Sequence, residues 1–547
     1  MISIRQAQRQ GRLAPSTIWP NVVAGLVVAS VALPLSMAYA IGSGVPPQWG
    51  LYSTIILTFV GSLIGGSVVL ISAPASALIT LVGGLSGKDG LEAVVVTAII
   101  AGVLLVIMGL VKFGRVMQFI PEPVILGFML GVSFTIAFGA VVDVLGVPKP
   151  KGHHYHEKIA DLGRHITQVH VPTMILGFSL VLLMIVVQNV KPLKRLPGPL
   201  VALVAGWLVV RFLHPEGVAT VGTKFGGIPS GLPTPSIPDV SVSLVLHLLL
   251  PGFVIAFIAA IEALLASKVG DGLSGTRHHS NQELKSQGIG NILCGLFGSM
   301  PGTGSVSRTA TSIKNGGSSP VAGLTLVVAL ILVLLLLAPL AVDIPMAAIG
   351  AILLMVAWKM AEVPHLIGMS KRSPRSDIVI LWLTALLTIF TGLEVAAPVG
   401  VMLASLYFMS RMAKSVSYST KGDGELLDED GDGAGETEVP AGTLVFDIDG
   451  PFFFAAIEPF EMAMDELAAD PQNLIIRLDD APYMDLSGLE AMEDAIERLH
   501  DRGVRVIICD ANDRIRVKLE KVGIVDLIGE QNMPNSFEEA LALVRAA

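Results

Sequence analysis

PGFVIAFIAAIEALLASKV, residues 251–269, and PGTGSVSRTATSIKN, residues 301–315, together decide what kind of chain this is. The first stretch is apolar except for Glu262, eleven residues past Pro251, and the basic and polar residues at its end. A charged group at mid-bilayer costs roughly 2.5–3.5 kcal/mol on translocon scales, so the carboxylate must face a polar cavity and serve a purpose. A protonatable group there is the simplest route to coupling transport to protons; service as a cation ligand is the second. The structural alternative is a carboxylate hydrogen-bonded to a neighbouring helix.

The second stretch sets Arg308 among Gly302, Gly304, Ser305, Ser307 and Thr309, which interrupt any continuous apolar helix. Irregular backbone at membrane depth is tolerated only where it is buried in protein or lines a cavity. A short helix starting there aims its amides and partial positive charge into that cavity, and a guanidinium beside them completes an anion site. The alternative is an arginine that snorkels to the interface or pairs with Glu262. Pairing and anion binding are compatible, because protonation of Glu262 would release Arg308.

The first half of the chain holds a counterpart in ISAPASALITL, 71–81, again proline and small residues before a short helix. Two broken helices at corresponding positions of two halves are the usual sequence pointer to a transporter's central site. Tyr39 could add an aromatic wall to such a site or simply pack. His153, His154 and His156 resemble a metal cluster only superficially and fit an outer polar loop better.

The 547 residues are 52% hydrophobic and 15% charged, with a mean hydropathy of +0.70. Soluble domains carry about 25% charged residues, which argues against an ordinary cytosolic enzyme. The net charge of −9 divides sharply: residues 1–420 hold 26 Lys/Arg and 15 Asp/Glu, and residues 421–547 hold 10 and 30. A basic, apolar membrane domain is thus joined to an acidic, water-soluble one. Neither half shows a basic patch interleaved with aromatics, so no nucleic-acid partner is expected. Cys294 and Cys509 cannot form a disulfide framework.

Residues 1–17 carry Arg5, Arg9 and Arg12 ahead of a long apolar run without a small-residue cleavage site, which reads as a cytoplasmic segment before a retained first span. A span needs about 20 apolar residues. Fourteen candidates fall at 20–43, 50–66, 72–86, 91–111, 122–145, 171–189, 198–213, 245–267, 284–299, 303–315, 320–341, 345–360, 377–391 and 394–410, all within a membrane domain at 18–415. With the N-terminus inside, the inner loops hold Lys112, Arg115, Lys191, Lys194, Arg195, Lys268, Arg277, Lys285, Lys314, Lys359, Lys371, Arg372 and Arg375. The outer loops near 44–50, 341–345 and 392–394 have no Lys or Arg. This alternation predicts both termini in the cytoplasm. One exception is the outer loop 146–170, with Lys149, Lys151, Lys158 and Arg164, which is long and partly balanced by Glu157 and Asp161.

A linker is expected over 416–440, where KGDGELLDEDGDGAGETEVP (421–440) has eight acids, five glycines and no aromatic residue and cannot bury a core. From 441 to 547, strand-like TLVFDI, PFFFA, LIIRL and VRVIICD alternate with helical stretches near 457–468, 487–502, 512–521 and 535–546, which predicts a small α/β domain.

LPLSMAYAIGSGVPPQWGLYS (33–53), HHSNQELKSQGIGNILCGLFGSMPGTGSVSRTA (278–310) and MDLSGLEAMEDAIERL (484–499) together resemble the sulfate permease family, anion transporters that include plant and bacterial sulfate carriers, bacterial bicarbonate carriers, pendrin and prestin. The resemblance covers essentially the whole chain. It rests most specifically on Asn281, Glu283, Gln287, Gly288, Asn291 and Ser307-Arg308-Thr309. It implies an all-α polytopic domain of two inverted seven-span repeats, with a rigid gate and a mobile core. It also implies a cytoplasmic STAS domain that helps hold a homodimer in the cell membrane. The anion would sit between the facing N-termini of spans three and ten, at Ala75, Ser76, Ser307 and Arg308, with Tyr39 from span one. In proton-coupled members an acid at the position of Glu262 takes part in coupling. Sodium-coupled bicarbonate carriers resemble an Asp there with a Thr one turn later, and they lack the arginine. Here the later position is Ala266 and Arg308 is present, so protons are favoured over sodium. Leu35 and Ala75 make a less polar pocket than in many relatives, which leaves sulfate, a dicarboxylate or bicarbonate as the substrate.

Anti-sigma-factor antagonists carry Asp-Ser-Ser-Gly with a phosphorylated first serine. This chain has Asp485, Leu486, Ser487 and Gly488, so dimerisation, trafficking or docking of a cytosolic partner fits the domain better than a phosphoswitch. The chain shows no Gly-rich nucleotide motif after a strand, no nucleophile with a base and no convincing metal spacing; no enzyme activity, metal or cofactor is expected. The function expected is anion–proton symport. An uncoupled exchanger or channel, or a membrane sensor signalling through the C-terminal domain, are the rivals.

Overall fold

The computed structural model describes residues 2–114, 122–148, 150, 155–191, 193, 196–235, 238, 241–391, 393–413, 415–422, 426–428, 436–465 and 471–546. Arg115, Lys149, Lys151, His153, His154, Lys194 and Arg195, and linker residues 423–425 and 429–435, lie outside them. The chain divides into two compact units, Met1–Val401 and Met402–Ala547.

Each of the fourteen apolar stretches falls on a helix: α1 (Pro15–Gly42), α2 (Pro47–Ile64), α3 (Ile79–Lys88), α4 (Gly90–Leu110), α5 (Glu122–Leu145), α6 (Val171–Asn189), α7 (Gly198–Leu213), α8 (Val242–Ser274), α9 (Ser280–Leu296), α10 (Val306–Lys314), α11 (Pro320–Leu337), α12 (Met346–Met360), α13 (Arg375–Phe390) and α14 (Leu393–Ala413). Among the described residues, seven helical stretches are long and apolar enough to cross a membrane: α1, α4, α5, α6, α8, and α11 and α12 with the turns that continue them. Prolines open α1, α2, α6, α7 and α11, where a missing N–H costs nothing. The helices sort into two packed groups, α1–α4 with α8–α11 and α5–α7 with α12–α14, which meet chiefly where α1 touches α7 and α12.

Within the first group α4 and α9 approach so closely that a Cβ on Gly102 would lie 2.6 Å from the carbonyl oxygen of Gly288, and the reverse contact is equally tight. Small residues at such a crossing let backbones pack where no hydrophobic force separates protein from lipid. The shortest helices, α3 and α10, are third in each set of seven. Each follows a non-helical break, and the two breaks pair: β1 (Ser72–Ala73) runs antiparallel to β2 (Thr303–Gly304), with Ser72 opposite Gly304 and Ala73 opposite Thr303.

The second unit holds the sheet of β3 (Ser417–Lys421), β6 (Thr443–Asp449), β7 (Asn473–Arg477) and β8 (Arg505–Cys509), in that order, and a separate pair β4 (Leu426–Asp428) and β5 (Glu436–Glu438). β6, β7 and β8 are parallel and β3 is antiparallel to β6. Strand residues alternate between two cores. Phe446, Ile476 and Ile508 face α15 (Ile457–Asp465), α16 (Leu486–Asp501) and α17 (Asp513–Val522); Val445, Ile475 and Ile507 face α18 (Phe537–Arg545).

The C-terminal region differs from the sequence reading at two stretches. The one expected to be linker holds strands: β4 pairs with β5, and β3 joins the sheet because Tyr418 stacks on Phe446 at 5.7 Å and donates its hydroxyl to the Ala456 carbonyl at 2.8 Å. PFFFA is not a strand. Gly450 turns the chain with φ 107°, Phe452 bridges only Met484, and Phe454–Ala456 coil into a 3-10 turn. Phe452 is buried edge-on against Phe460 at 4.9 Å, so packing of one side chain replaces a ladder.

Candidate functional site

Arg308 enters the protein interior because α10 begins just before it. Ser305 caps the helix, its Oγ accepting from the Arg308 N–H at 3.5 Å. The side chain, 1% exposed, then reaches across to the other break. Nη1 donates to the Pro74 carbonyl at 3.4 Å, and Nη2 donates to Ser36 Oγ of α1 at 3.2 Å. Among the described residues its Nε reaches no acceptor. The guanidinium also lies over the Tyr39 ring at 5.7 Å. One cation thus ties together both breaks and the first helix, and keeps an unspent donor inside the protein.

Tyr39 links the remaining candidates: Ser76, at the start of the 3-10 turn before α3, Arg308 and Glu262 all lie close enough to act on its hydroxyl. Glu262 projects from α8, half-buried. Among the described residues it makes no hydrogen bond and no ion pair, so it is not the structural partner of Arg308. Ala75 is buried at the cap of the turn, where its carbonyl accepts from the Leu78 N–H at 3.2 Å. Ser307 is exposed, and its carbonyl accepts from Thr311 Oγ1; the serine that orders the α10 terminus is Ser305. The site therefore gathers Tyr39, Ala75, Ser76, Glu262 and Arg308 and leaves Ser307 at its edge.

Residues without an assigned role in the sequence reading hold the breaks in place. Glu283, fully buried, accepts from the amides of Gly66 at 2.8 Å and Ser67 at 3.1 Å and from Gln287 Nε2 at 2.8 Å. Gln287 also donates to Ser72 Oγ of β1 at 2.7 Å. Asn291 grips β2's approach, donating to the Gly302 carbonyl and accepting from its N–H, each at 2.9 Å. Thr303 Oγ1 donates to the Ala259 carbonyl, one turn before Glu262, at 2.6 Å. The spacing of Glu283, Gln287 and Asn291, four residues each, puts all three on one face of α9 and was the available signal. Ser36 had no such signal. It is buried and shares a 2.6 Å hydrogen bond with Thr54 Oγ1 of α2.

His153 and His154 lie outside the described residues, and His156 belongs to a helix at Tyr155–His165; no group of three metal-ligating side chains occurs among the described residues. In the second unit Asp485 caps α16, accepting from the N–H of Gly488 at 2.8 Å and of Phe454 at 3.2 Å, while Leu486 stands exposed at the position a phosphoacceptor would need.

Comparison with known proteins places this geometry. The sulfate permease family model matches residues 18–384 and the STAS domain model residues 435–540. The chain is 32% identical over 521 residues to YvdB of Bacillus subtilis, a protein named for sulfate transport, covering 95% of this chain and 96% of that one. It is 30% identical over 539 residues to the bicarbonate transporter BicA of Synechocystis, covering 95% and 93%. Among solved structures, the transmembrane domain of a cyanobacterial BicA superposes with a TM-score of 0.63 at 28% identity, over 69% of this chain and 97% of that one. The murine Solute Carrier 26 family member A9 anion transporter has the same fold, with a TM-score of 0.86 at 18% identity over 100% and 94%.

Proposed function

Because the chain belongs to the sulfate permease family and ends in a STAS domain, we propose that it moves a small anion across the cell membrane by secondary active transport coupled to protons. The observation that carries this reading is the buried Arg308 guanidinium, shared between two helix breaks, with Glu262, unpaired among the described residues, near the same Tyr39. The anion meets the amides that open α3 and α10 and the Arg308 cation, which supply positive potential without a mobile counter-charge. Ala75, Ser76, Ser307 and Tyr39 line the approach.

Protonation of Glu262 removes a negative charge beside the arriving anion, so proton and anion load together; loss of the proton repels the anion on the releasing side. Sulfate, a dicarboxylate and bicarbonate are the candidate substrates, the first and last being those for which the relatives are named. The group α1–α4 with α8–α11 is the mobile core and the other group the gate. Fourteen spans in two inverted sets of seven place both termini in the cytoplasm. The segment 1–17 precedes the transporter domain at 18–415, and β3 at Ser417–Lys421 joins the sheet of the STAS domain at 441–547. The STAS domain supplies part of a homodimer contact or a docking surface for a cytosolic partner.

The test is uptake into proteoliposomes of labelled sulfate, bicarbonate and succinate under an inward proton gradient, with an inward sodium gradient in parallel. Accumulation of one anion driven by protons and not by sodium is the expected result. Accumulation driven by sodium alone, or none by either gradient, contradicts it.

A further inference from the structure

A second cavity, separate from the Arg308 site, opens between the two helix groups. It has a volume of about 300 Å³ and is lined by Leu33 and Met37 of α1, Leu203 and Trp207 of α7, Leu334 of α11 and Ala341 of the turn that follows α11, with further aliphatic residues from the same elements. These residues come from the C-terminal halves of α1 and α11, the first turns of α7 and the start of α2, which holds Leu51. An apolar cavity of ~150 Å³ already stays dry and takes up small apolar molecules, so one of about twice that volume calls for an apolar occupant.

Two features say which. The cavity runs out onto exposed apolar side chains, Val204, Leu337 and Leu340, which in a membrane domain face acyl chains. One turn past Trp207 on α7, Arg211 is more than half exposed, its pair with Asp343 stretched to 3.9 Å. An aliphatic slot that opens to lipid, with an exposed cation beside it, matches the acyl chain and phosphate of a glycerophospholipid.

We propose that this cavity is a binding site for one acyl chain of a bilayer phospholipid whose phosphate lies toward Arg211. A chain seated there wedges α7 against α1 and α11, at a seam between the two helix groups.

The full-length protein is reconstituted in phosphatidylcholine vesicles containing a trace of phosphatidylcholine with a mid-chain diazirine, photolysed and mapped by peptide. Adducts on Met37, Leu203 and Leu334, which are buried and out of reach of bulk lipid, are expected beside adducts on exposed residues such as Leu182. Ala341→Phe, which fills the cavity, should lower the buried adducts at least tenfold and leave those at Leu182 unchanged. Arg211→Gln should lower the buried adducts several-fold, and unchanged labelling in that variant overturns the phosphate contact. Because Ala341→Phe could disturb the fold, the unmodified chain decides separately: adducts confined to exposed residues overturn the site.

Discussion

The Nη1 of Arg308 donates to the Pro74 carbonyl across 3.4 Å, so the arginine that follows one helix break is anchored on the backbone of the other. The two breaks are already joined by the β1–β2 pair, and the guanidinium adds a charged tie between them. Any motion of the site must carry both breaks together, and an anion bound at either helix terminus feels the same cation.

Ser36→Ala should weaken anion binding about tenfold while leaving the protein folded. It removes the Nη2 acceptor, a hydrogen bond to a charged group of about 1.5–3 kcal/mol, and lets Arg308 drift from its set position. Equilibrium binding of the transported anion to purified protein checks this; an unchanged affinity would separate Ser36 from the site. Arg308→Lys should lose more, because a point charge cannot hold Pro74, Ser36 and an anion at once.

Glu283→Gln should lower stability by about 1–3 kcal/mol, read as a drop in the melting temperature of the purified protein. The carboxylate accepts from two amides and from Gln287; a carboxamide turns one acceptor into a donor facing donors. Because Gln287 in turn holds Ser72 of β1, anion affinity should fall alongside stability.

Gly288→Ala should cost roughly 1–3 kcal/mol through overpacking, since its methyl would sit 2.6 Å from the Gly102 carbonyl and tight against Val106. Gly272→Ala, with open space at its Cβ position, should cost much less and serves as the control in the same melting experiment.

In the C-terminal unit, burial pushes the Tyr418 hydroxyl from its ordinary 10 up to about 12. The folded state then holds its proton more tightly than the unfolded one. The stability this provides is complete below pH 10 and is lost as pH rises from about 10 to 12. Tyr418→Phe should lower stability at neutral pH, because the bond to Ala456 goes, and should flatten the decline above pH 10. Thermal unfolding of the unit as a function of pH reads both effects.

Much of the site was legible because breaking a membrane helix demands conspicuous residues. Pro74, Gly302, Gly304 and the serines around them mark both breaks, and Glu262 and Arg308 stand out against apolar surroundings. What holds the breaks was not legible. Two-residue strands such as β1 and β2 carry no periodicity, and Ser36 looks like any helix serine until Arg308 reaches it from 272 positions away. Glu283 drew attention as a motif residue, yet its three donors come from a segment more than 200 residues earlier and from its own helix. In the second unit the alternation of TLVFDI, LIIRL and VRVIICD with helical stretches gave β6, β7 and β8. β3 escaped because its pairing depends on where Tyr418 packs, and PFFFA misled because an aromatic run suits a strand and a buried turn equally.

The most direct test compares the parent protein with Glu262→Gln in proteoliposomes, measuring proton-gradient-driven uptake and anion counterflow on the same preparations. The account predicts that the variant loses gradient-driven accumulation and keeps counterflow, since Arg308 and the helix termini remain. Uptake that stays fully driven by the proton gradient in Glu262→Gln would contradict it.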